Sequence, residues 1–525
     1  MLELLIRDGL IIDGTGNPGY YGAVAVDGER VRILRGDLDG VQAARVIDAR
    51  RKVVCPGFID MHAHSGLVLL AEPRHEPKVH QGITTELIGV DGCSYAPFHS
   101  HDDFRKFVQI NSGLDGNPPL PGRWSTVEQY LDMFTNRAAV NVVYIVGNSP
   151  IRIAGVGWDD RRATARELDD MKAVLRAAME EGAWGMSTGL DYPPGSYADT
   201  AELTALSEQA AALGGIYHTH VRYSLGDRYL DPFREALEIG RGSRIPVHIT
   251  HFYHRTTSPG GASRMLGLVE DARDEGLDVT FDSYPYNLSS TRLTILLPQW
   301  THDGGYEKLR AVVADPALRD RLRKDMGPRA SSWHDMWLTN FKKPANHRFE
   351  GRSIAQVADM LDRDPVDVVL DLLADEDLEV SYVSAGGNLA TLPKFVSHPL
   401  SMVGSDALLI GDYPSPRTYG CFPIILSEYV REERFMSLPD AIRKMTSFPA
   451  QRLGLPDRGL LRDGFKADIT VFDPRTVKTP ATRTQPKQLP VGIDYVVVNG
   501  QVVIDGGKHT GVLAGRALRR GRAST

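Results

Sequence analysis

Two histidines one residue apart, His62 and His64, close the stretch Pro56-Gly-Phe-Ile-Asp-Met-His-Ala-His-Ser-Gly66. Residues i and i+2 of a β-strand point to the same face. Both imidazoles would therefore leave a short strand begun by Phe58 and Ile59 side by side, forming half a site for a divalent metal such as zinc. Alone, the pair also reads as two surface histidines beside a turn. The apolar strand and the Pro-Gly turn before it strengthen the metal reading, and the rest of the chain must supply the missing ligands.

Candidates for those ligands recur at the ends of strand-like runs. His220 closes Gly-Gly-Ile-Tyr-His-Thr-His, His251 closes Val-His-Ile-Thr-His, and Asp406 closes Met-Val-Gly-Ser-Asp. Asp91 and Cys93 follow Thr84-Thr-Glu-Leu-Ile-Gly89. Any one of these reads equally as a satisfied histidine or a helix-capping aspartate. Five or six at successive strand ends do not read as independent accidents.

The elements that must hold these residues alternate between strand and helix. Residues 142–147 form an apolar run suited to a buried strand, and 165–181 follow as an amphipathic helix with Leu168, Met171, Leu175 and Met179 at three-to-four spacing. Strands at 184–188, 215–220, 247–251, 277–283 and 401–405 are predicted to alternate with helices at 201–213, 233–239, 264–275 and 365–374. Such alternation means a parallel sheet, and about 390 residues of it favour a (β/α)8 TIM-like barrel. The catalytic groups of a barrel lie at the C-terminal ends of its strands, where all the candidates fall.

The two ends of the chain read differently. Short strands broken by Asp-Gly and Gly-Thr-Gly-Asn-Pro-Gly turns fill residues 1–55. Strands at 467–472, 495–499 and 501–504, with Asn499-Gly500 as a two-residue hairpin turn, answer them near the other terminus. The expectation is a small composite β-sandwich domain built from 1–55 and 447–525, around a barrel at 56–446 with an insertion near 300–350 over its mouth.

With 525 residues and a formal charge of −7, the chain has no basic field for nucleic acid. Its one basic run, 516–522, reads as a solvated tail. Three cysteines are too few for a disulfide framework and suit a reducing compartment. No run of eighteen apolar residues argues for a membrane span, and the N-terminus lacks the basic-then-apolar order of a signal peptide. A cytoplasmic location is expected, with no membrane or nucleic-acid partner.

The set Pro-Gly-Phe-Ile-Asp-x-His-x-His, Gly-Ile-Thr-Thr, Tyr-x-x-His-x-Arg (217–222), Ile-Thr-His (249–251) and Gly-Ser-Asp (404–406) resembles the amidohydrolase superfamily. Within it the chain is similar to the N-acyl-D-amino-acid deacylases, or D-aminoacylases. Ser187-Thr-Gly-Leu-Asp-Tyr-Pro-Pro-Gly195, Tyr284-Pro-Tyr286, Pro416-Arg-Thr-Tyr-Gly420 and the run from Ser447 through Leu461 also match that group. The resemblance implies one or two zinc ions held by His62, His64, His220 and His251. It implies Asp406 as metal ligand and general base, and a small-molecule amide as substrate. Tyr284, Ser290 and Arg417 fall where the family holds the substrate's α-carboxylate, and a homo-oligomer is compatible with it.

Departures from the family pattern bear on substrate and metal. The family's cysteine-ligand slot holds Asp91 by register, with Cys93 two residues on as the alternative. Asn148 stands where a histidine often follows the third strand. No lysine ends the strand at Ser187-Thr188, so a carboxylated-lysine bridge is not expected. Tyr253 replaces a lysine associated with acidic side chains, which points to a neutral or aromatic amino acid. The same metal chemistry on a dipeptide, a cyclic amide or a natural-product amide stays open as a second reading. A non-catalytic scaffold that kept the barrel is the third.

Overall fold

The computed structural model describes residues 2–521 apart from 37, 39, 259 and 328–332. Arg522 of the basic run, and 328–332 of the expected insertion, lie outside the described residues.

Eight parallel strands follow one another around a ring among the described residues. They are Phe58–Asp60, Ile83–Ile88, Asn141–Tyr144 continued by Val146–Gly147, Gly185–Gly189, Ile216–His220, Val247–Ile249, Val279–Ser283 and Ser401–Val403. Each is hydrogen-bonded in parallel to the next. The ring closes where the Met61 amide donates to the Val403 carbonyl at 3.2 Å and where Ala63–His64 pairs with Ala407–Leu408. The fold is thus the expected (β/α)8 barrel. The central strands are buried along their whole length, as parallel strands covered by helices on the outside must be. The helix Ala165–Glu180 shows how those covers form. Thr164 and Glu167 make a reciprocal capping box at its start, and Met171, Leu175 and Met179 face inward.

The two ends of the chain build one nine-stranded sheet, joined where Val53–Pro56 runs antiparallel to Ile469–Phe472. The far edge, Arg30–Leu34, is tied back by Val31 donating to the Phe465 carbonyl and accepting from Gly464. An apolar cluster drawn from both termini, including Leu4, Val24, Ile47, Ile469 and Val497, fills the interior. Asn499 and Gly500 have φ of 49° and 83°, both positive as a tight hairpin turn requires.

Two features depart from the sequence reading. The excursion between the seventh and eighth barrel strands runs from 284 to 400, well beyond the expected 300–350. It contains an antiparallel sheet of Leu288–Arg292, Ser381–Ala385 and Met336–Thr339, and the helix Pro365–Asp375 packs inside it instead of against the barrel. The basic run at the C-terminus is not a solvated tail. Ala517–Leu518 adds in parallel to the third barrel strand, while Arg516 pairs with Glu29 and Arg519 with Asp132. Backbone pairing and local carboxylates hold a stretch whose charge alone suggested solvent.

Candidate metal centre

The loops that leave the strand ends converge on one carboxylate. Asp91 Oδ2 lies 3.4 Å from His62 Nε2, 3.6 Å from His64 Nε2, 3.4 Å from His220 Nδ1 and 3.8 Å from His251 Nε2. Asp406 Oδ1 stands 3.6 and 3.4 Å from His62 and His64. Two groups of donor atoms, His62–His64–Asp91–Asp406 and Asp91–His220–His251, share Asp91, and a third, His62–His218–Asp282, adjoins them through His62. Two adjacent cation positions bridged by one carboxylate fit that arrangement.

Backbone strain accompanies this convergence. Asp91, His251 and Asp406 have φ of 53°, 34° and 47°, a region that non-glycine residues enter at about 1–3 kcal/mol each. Gly189 permits the close approach of the fourth strand to the Asp91 loop, since a Cβ there would lie 1.9 Å from the Asp91 carbonyl oxygen. Gly92, with φ of 68°, turns the chain so that Asp91 and Cys93 part company. Cys93 donates to Asn111 Oδ1 at 3.5 Å, and burial pushes its thiol well above the ordinary range. It belongs to none of the three donor groups.

Carboxylates outside the two groups that share Asp91 aim the imidazoles. Asp115 Oδ1 accepts from His64 Nδ1 at 2.8 Å and is itself steadied by Tyr95, which turns His64 Nε2 inward. Asp191 lies 3.2 Å from His220 Nε2, and the Tyr223 hydroxyl 3.0 Å from His251 Nδ1. Asp282 accepts the His251 amide at 2.8 Å and holds His248 at 3.1 Å, with His62 Nδ1 at 3.6 Å. None of these three aspartates was singled out from sequence. Asp282 is the penultimate residue of the seventh strand and was findable by the strand-end rule; Asp115 comes from a short helical turn with no such signal.

A buried ion cluster lies beneath. Lys78 Nζ donates to Asp60 at 2.6 Å, Glu86 at 3.0 Å and Ser405 Oγ at 2.8 Å. Asp60 in turn accepts the amides of His62 and Ser405 at 3.1 and 2.8 Å. One ammonium thereby ties the first-strand histidine loop to the eighth-strand aspartate loop.

The remaining sequence candidates gather beside Asp406. Arg417 Nη2 lies 3.0 Å from Asp406 Oδ2 and 3.1 Å from Ser290 Oγ, and its guanidinium sits 4.3 Å over the Tyr284 ring. Tyr284 donates to the Tyr253 hydroxyl at 3.3 Å. The 284–400 excursion brings Ser290 here. Asn148 stays out of the cluster and donates to the Gly195 carbonyl.

The electrostatics ask for a cation. Burial alone would lower the affinity of His62 for protons, but Asp91 and Asp406 outweigh it and push the imidazole up to about 10. Burial likewise opposes the rise of His220 to about 9, which Asp191 and Asp91 drive. Burial would raise Asp406, yet Arg417 and His62 bring it down to about 2. Protons here stand where a metal would. Nε2 of the fully buried His62 and Oδ1 of Asp91 lack a hydrogen-bond partner, a cost that a bound ion removes. The imidazole and carboxylate donors suit zinc.

Fold and site together define a metal-dependent hydrolase of the barrel class. Residues 45–504 match the model of the amidohydrolase family, and the chain belongs to that family. It is 34% identical to the N-acyl-D-aspartate deacylase of Alcaligenes xylosoxydans xylosoxydans over 99% of this chain and 96% of the relative. With the D-aminoacylase of the same organism it shares 33% over 99% and 98%. The structure of the N-acyl-D-glutamate deacylase from Bordetella bronchiseptica, complexed with zinc and a phosphonate mimic of the tetrahedral intermediate, superposes with a TM-score of 0.84 at 31% identity, covering 99% of each chain. Among the described residues, no helix is long and apolar enough to cross a membrane.

Proposed function

We propose that this protein hydrolyses the amide bond of N-acyl-D-amino acids, releasing a carboxylate and a free amino acid. The observation that carries the reading is Asp91 Oδ2 within 3.8 Å of the ring nitrogens of four histidines, with the Arg417–Asp406 pair at its edge. His62, His64, Asp91, His220, His251 and Asp406 would hold one or two zinc ions. When bound, zinc lowers the pKa of water toward about 7 and polarises a carbonyl.

The chain's own groups supply the rest. Asp406 is ionised at neutral pH, with Oδ1 facing the histidines and Oδ2 held by Arg417. Oδ1 takes the proton of the attacking water and passes it to the leaving nitrogen. Arg417 with Ser290 and Tyr284 offers a guanidinium fork and two hydroxyls to the substrate's α-carboxylate. A carboxylate that draws Arg417 away weakens the grip on Asp406 and raises its affinity for the proton it must carry. The relatives named for aspartate and for D-amino acids in general match this chain almost equally, so identity alone does not choose the side chain.

The three cysteines are free and buried, which supports a reducing cytoplasmic setting, and the partner is a small amide. Light scattering decides between monomer and homo-oligomer. The test of function is turnover of N-acetyl-D- and N-acetyl-L-methionine by zinc-loaded protein, beside Asp406→Asn. The D isomer is expected to be cleaved and the variant to lose nearly all turnover with metal still bound. Substantial residual activity places the base elsewhere.

A further inference from the structure

A cavity of about 1380 Å³ lies at the end of the barrel opposite the metal centre. Trp184, Ile216, Pro246 and Asp278, which stand at the starts of the fourth to seventh strands, line it. The metal ligands leave the other ends of the same barrel. The docked C-terminus contributes Leu518, Arg519 and Arg520 to the lining, and the helix Ser447–Leu453 with the turn after it contributes Phe448, Arg452 and Leu455. Seven arginines line the cavity against three aspartates, so its walls are strongly cationic in a chain whose net charge is −7.

Four of those arginines are met by carboxylates. Arg516 pairs with Glu29, Arg519 with Asp132 and Arg458 with Asp468, and Arg30 faces Asp457 at 3.8 Å. The other three guanidiniums have one carboxylate between them. Arg273 and Arg452 each reach Asp278 at 2.8 Å, whereas burial disfavours the charge on Arg520 with no neighbouring carboxylate to offset it. At Arg452 burial outweighs Asp278; its side chain is only 5% exposed, and its Nε has no partner. Arg520 is also held still. Its amide donates to the Gly182 carbonyl at 3.2 Å, and Gly214, with φ of 69°, leaves room for its guanidinium, since a Cβ there would lie 2.5 Å from Nη2. Guanidiniums part-desolvated and short of anions are stabilised by one. Trp184 and Phe448 lie in the same lining, and the indole N–H of Trp184 is already spent on the Leu518 carbonyl at 2.6 Å, so this residue offers an apolar ring.

We propose that this cavity binds a phosphate monoester with a flat or apolar body, its phosphate taken by Arg520 together with the Arg273–Arg452 pair and its body by Trp184 and Phe448. Three guanidiniums against one carboxylate leave two positive charges, which match a phosphate dianion, and the planar forks match its oxygens. The volume takes a whole small molecule, well beyond the phosphate alone. The site lies at the strand starts and shares no residue with the metal centre, so the inference stands apart from the deacylase reading.

The experiment is isothermal titration calorimetry of the zinc-loaded full chain with adenosine 5′-monophosphate as the probe, beside adenosine and inorganic phosphate. The monophosphate should bind, with adenosine and phosphate each weaker by about tenfold or more. Arg520→Gln and Arg273→Gln change side chains that are half-buried and exposed, so the fold and the zinc content should persist. Each should weaken the monophosphate by about ten- to a hundredfold. Phosphate groups also bind zinc, and the variants separate the two places. Monophosphate binding that is equal in wild type and both variants belongs to the metal centre and overturns the proposal, as does the absence of detectable binding. Inorganic phosphate bound as tightly as the monophosphate overturns the assignment of an ester.

Discussion

Replacing Lys78 by methionine removes the ammonium from a fully buried cluster. Asp60 loses a 2.6 Å partner and Glu86 a 3.0 Å partner, and Ser405 Oγ loses its donor. Burial would hold Glu86 protonated, but His75 and Lys78 keep it far below the usual carboxylate range, so the cluster is ionic. Breaking a buried pair by deleting one member costs about 3–5 kcal/mol, because the surviving charge has nowhere to go. His75 and Ser65 still serve Glu86 at 2.9 and 2.6 Å, so the loss belongs near the lower figure. Asp60 also holds the amides of His62 and Ser405, so zinc affinity should fall together with stability. Denaturant unfolding of the zinc-loaded variant followed by circular dichroism, with zinc affinity measured by chelator competition, reads both effects. Lys78→Met/Asp60→Asn/Glu86→Gln should recover part of the stability by removing the stranded charges. A Lys78→Met protein within about 1 kcal/mol of wild type, binding zinc equally well, refutes the reasoning.

Two further perturbations probe other parts of the molecule. Asp115→Asn keeps the shape beside His64 but removes the charge, and zinc affinity should drop about 10- to 100-fold in chelator competition; an unchanged affinity removes Asp115 from the site. Lys444, 5% exposed, donates to the carbonyls of His398 and Ser401, and burial pushes it down to about 7. Between that value and the ordinary lysine range the unfolded chain holds a proton that the native chain lacks, so native stability rises with pH through this window. Wild type should gain on Lys444→Met in unfolding midpoint from about pH 7 to pH 10, and a pH-independent difference contradicts this.

The alternation of strand and helix was legible because periods of two and 3.6 are properties of neighbouring residues. Each barrel strand from 142 onward lies within a few residues of its expected place. His62, His64, Asp91, His220, His251 and Asp406 were readable because a barrel puts its chemistry at strand ends, and the structure does bring all six together. The boundary of the excursion was not legible. The helix Pro365–Asp375 has the periodicity of a barrel helix, and periodicity reports that a face is buried without saying against what. Asp115 and Asp191 escaped because their importance exists only across space: Asp115 meets His64 from 51 residues away, and Asp191 meets His220 from 29. Register favoured Asp91 over Cys93, and the backbone turn at Gly92 is what sends the two side chains apart. The docked C-terminus was misread because charge dominates the sequence signal while backbone pairing leaves none.

The central claim is that Asp91 bridges a metal centre that performs amide hydrolysis. Metal content by plasma emission, on protein purified without chelator, tests it most directly when wild type is run beside Asp91→Ala and Cys93→Ala. Wild type should carry about one or two zinc per chain, Asp91→Ala should carry less, and Cys93→Ala should match wild type. Wild-type protein that is metal-free and stays empty after zinc is added back, or a loss of metal in Cys93→Ala alone, would contradict the account.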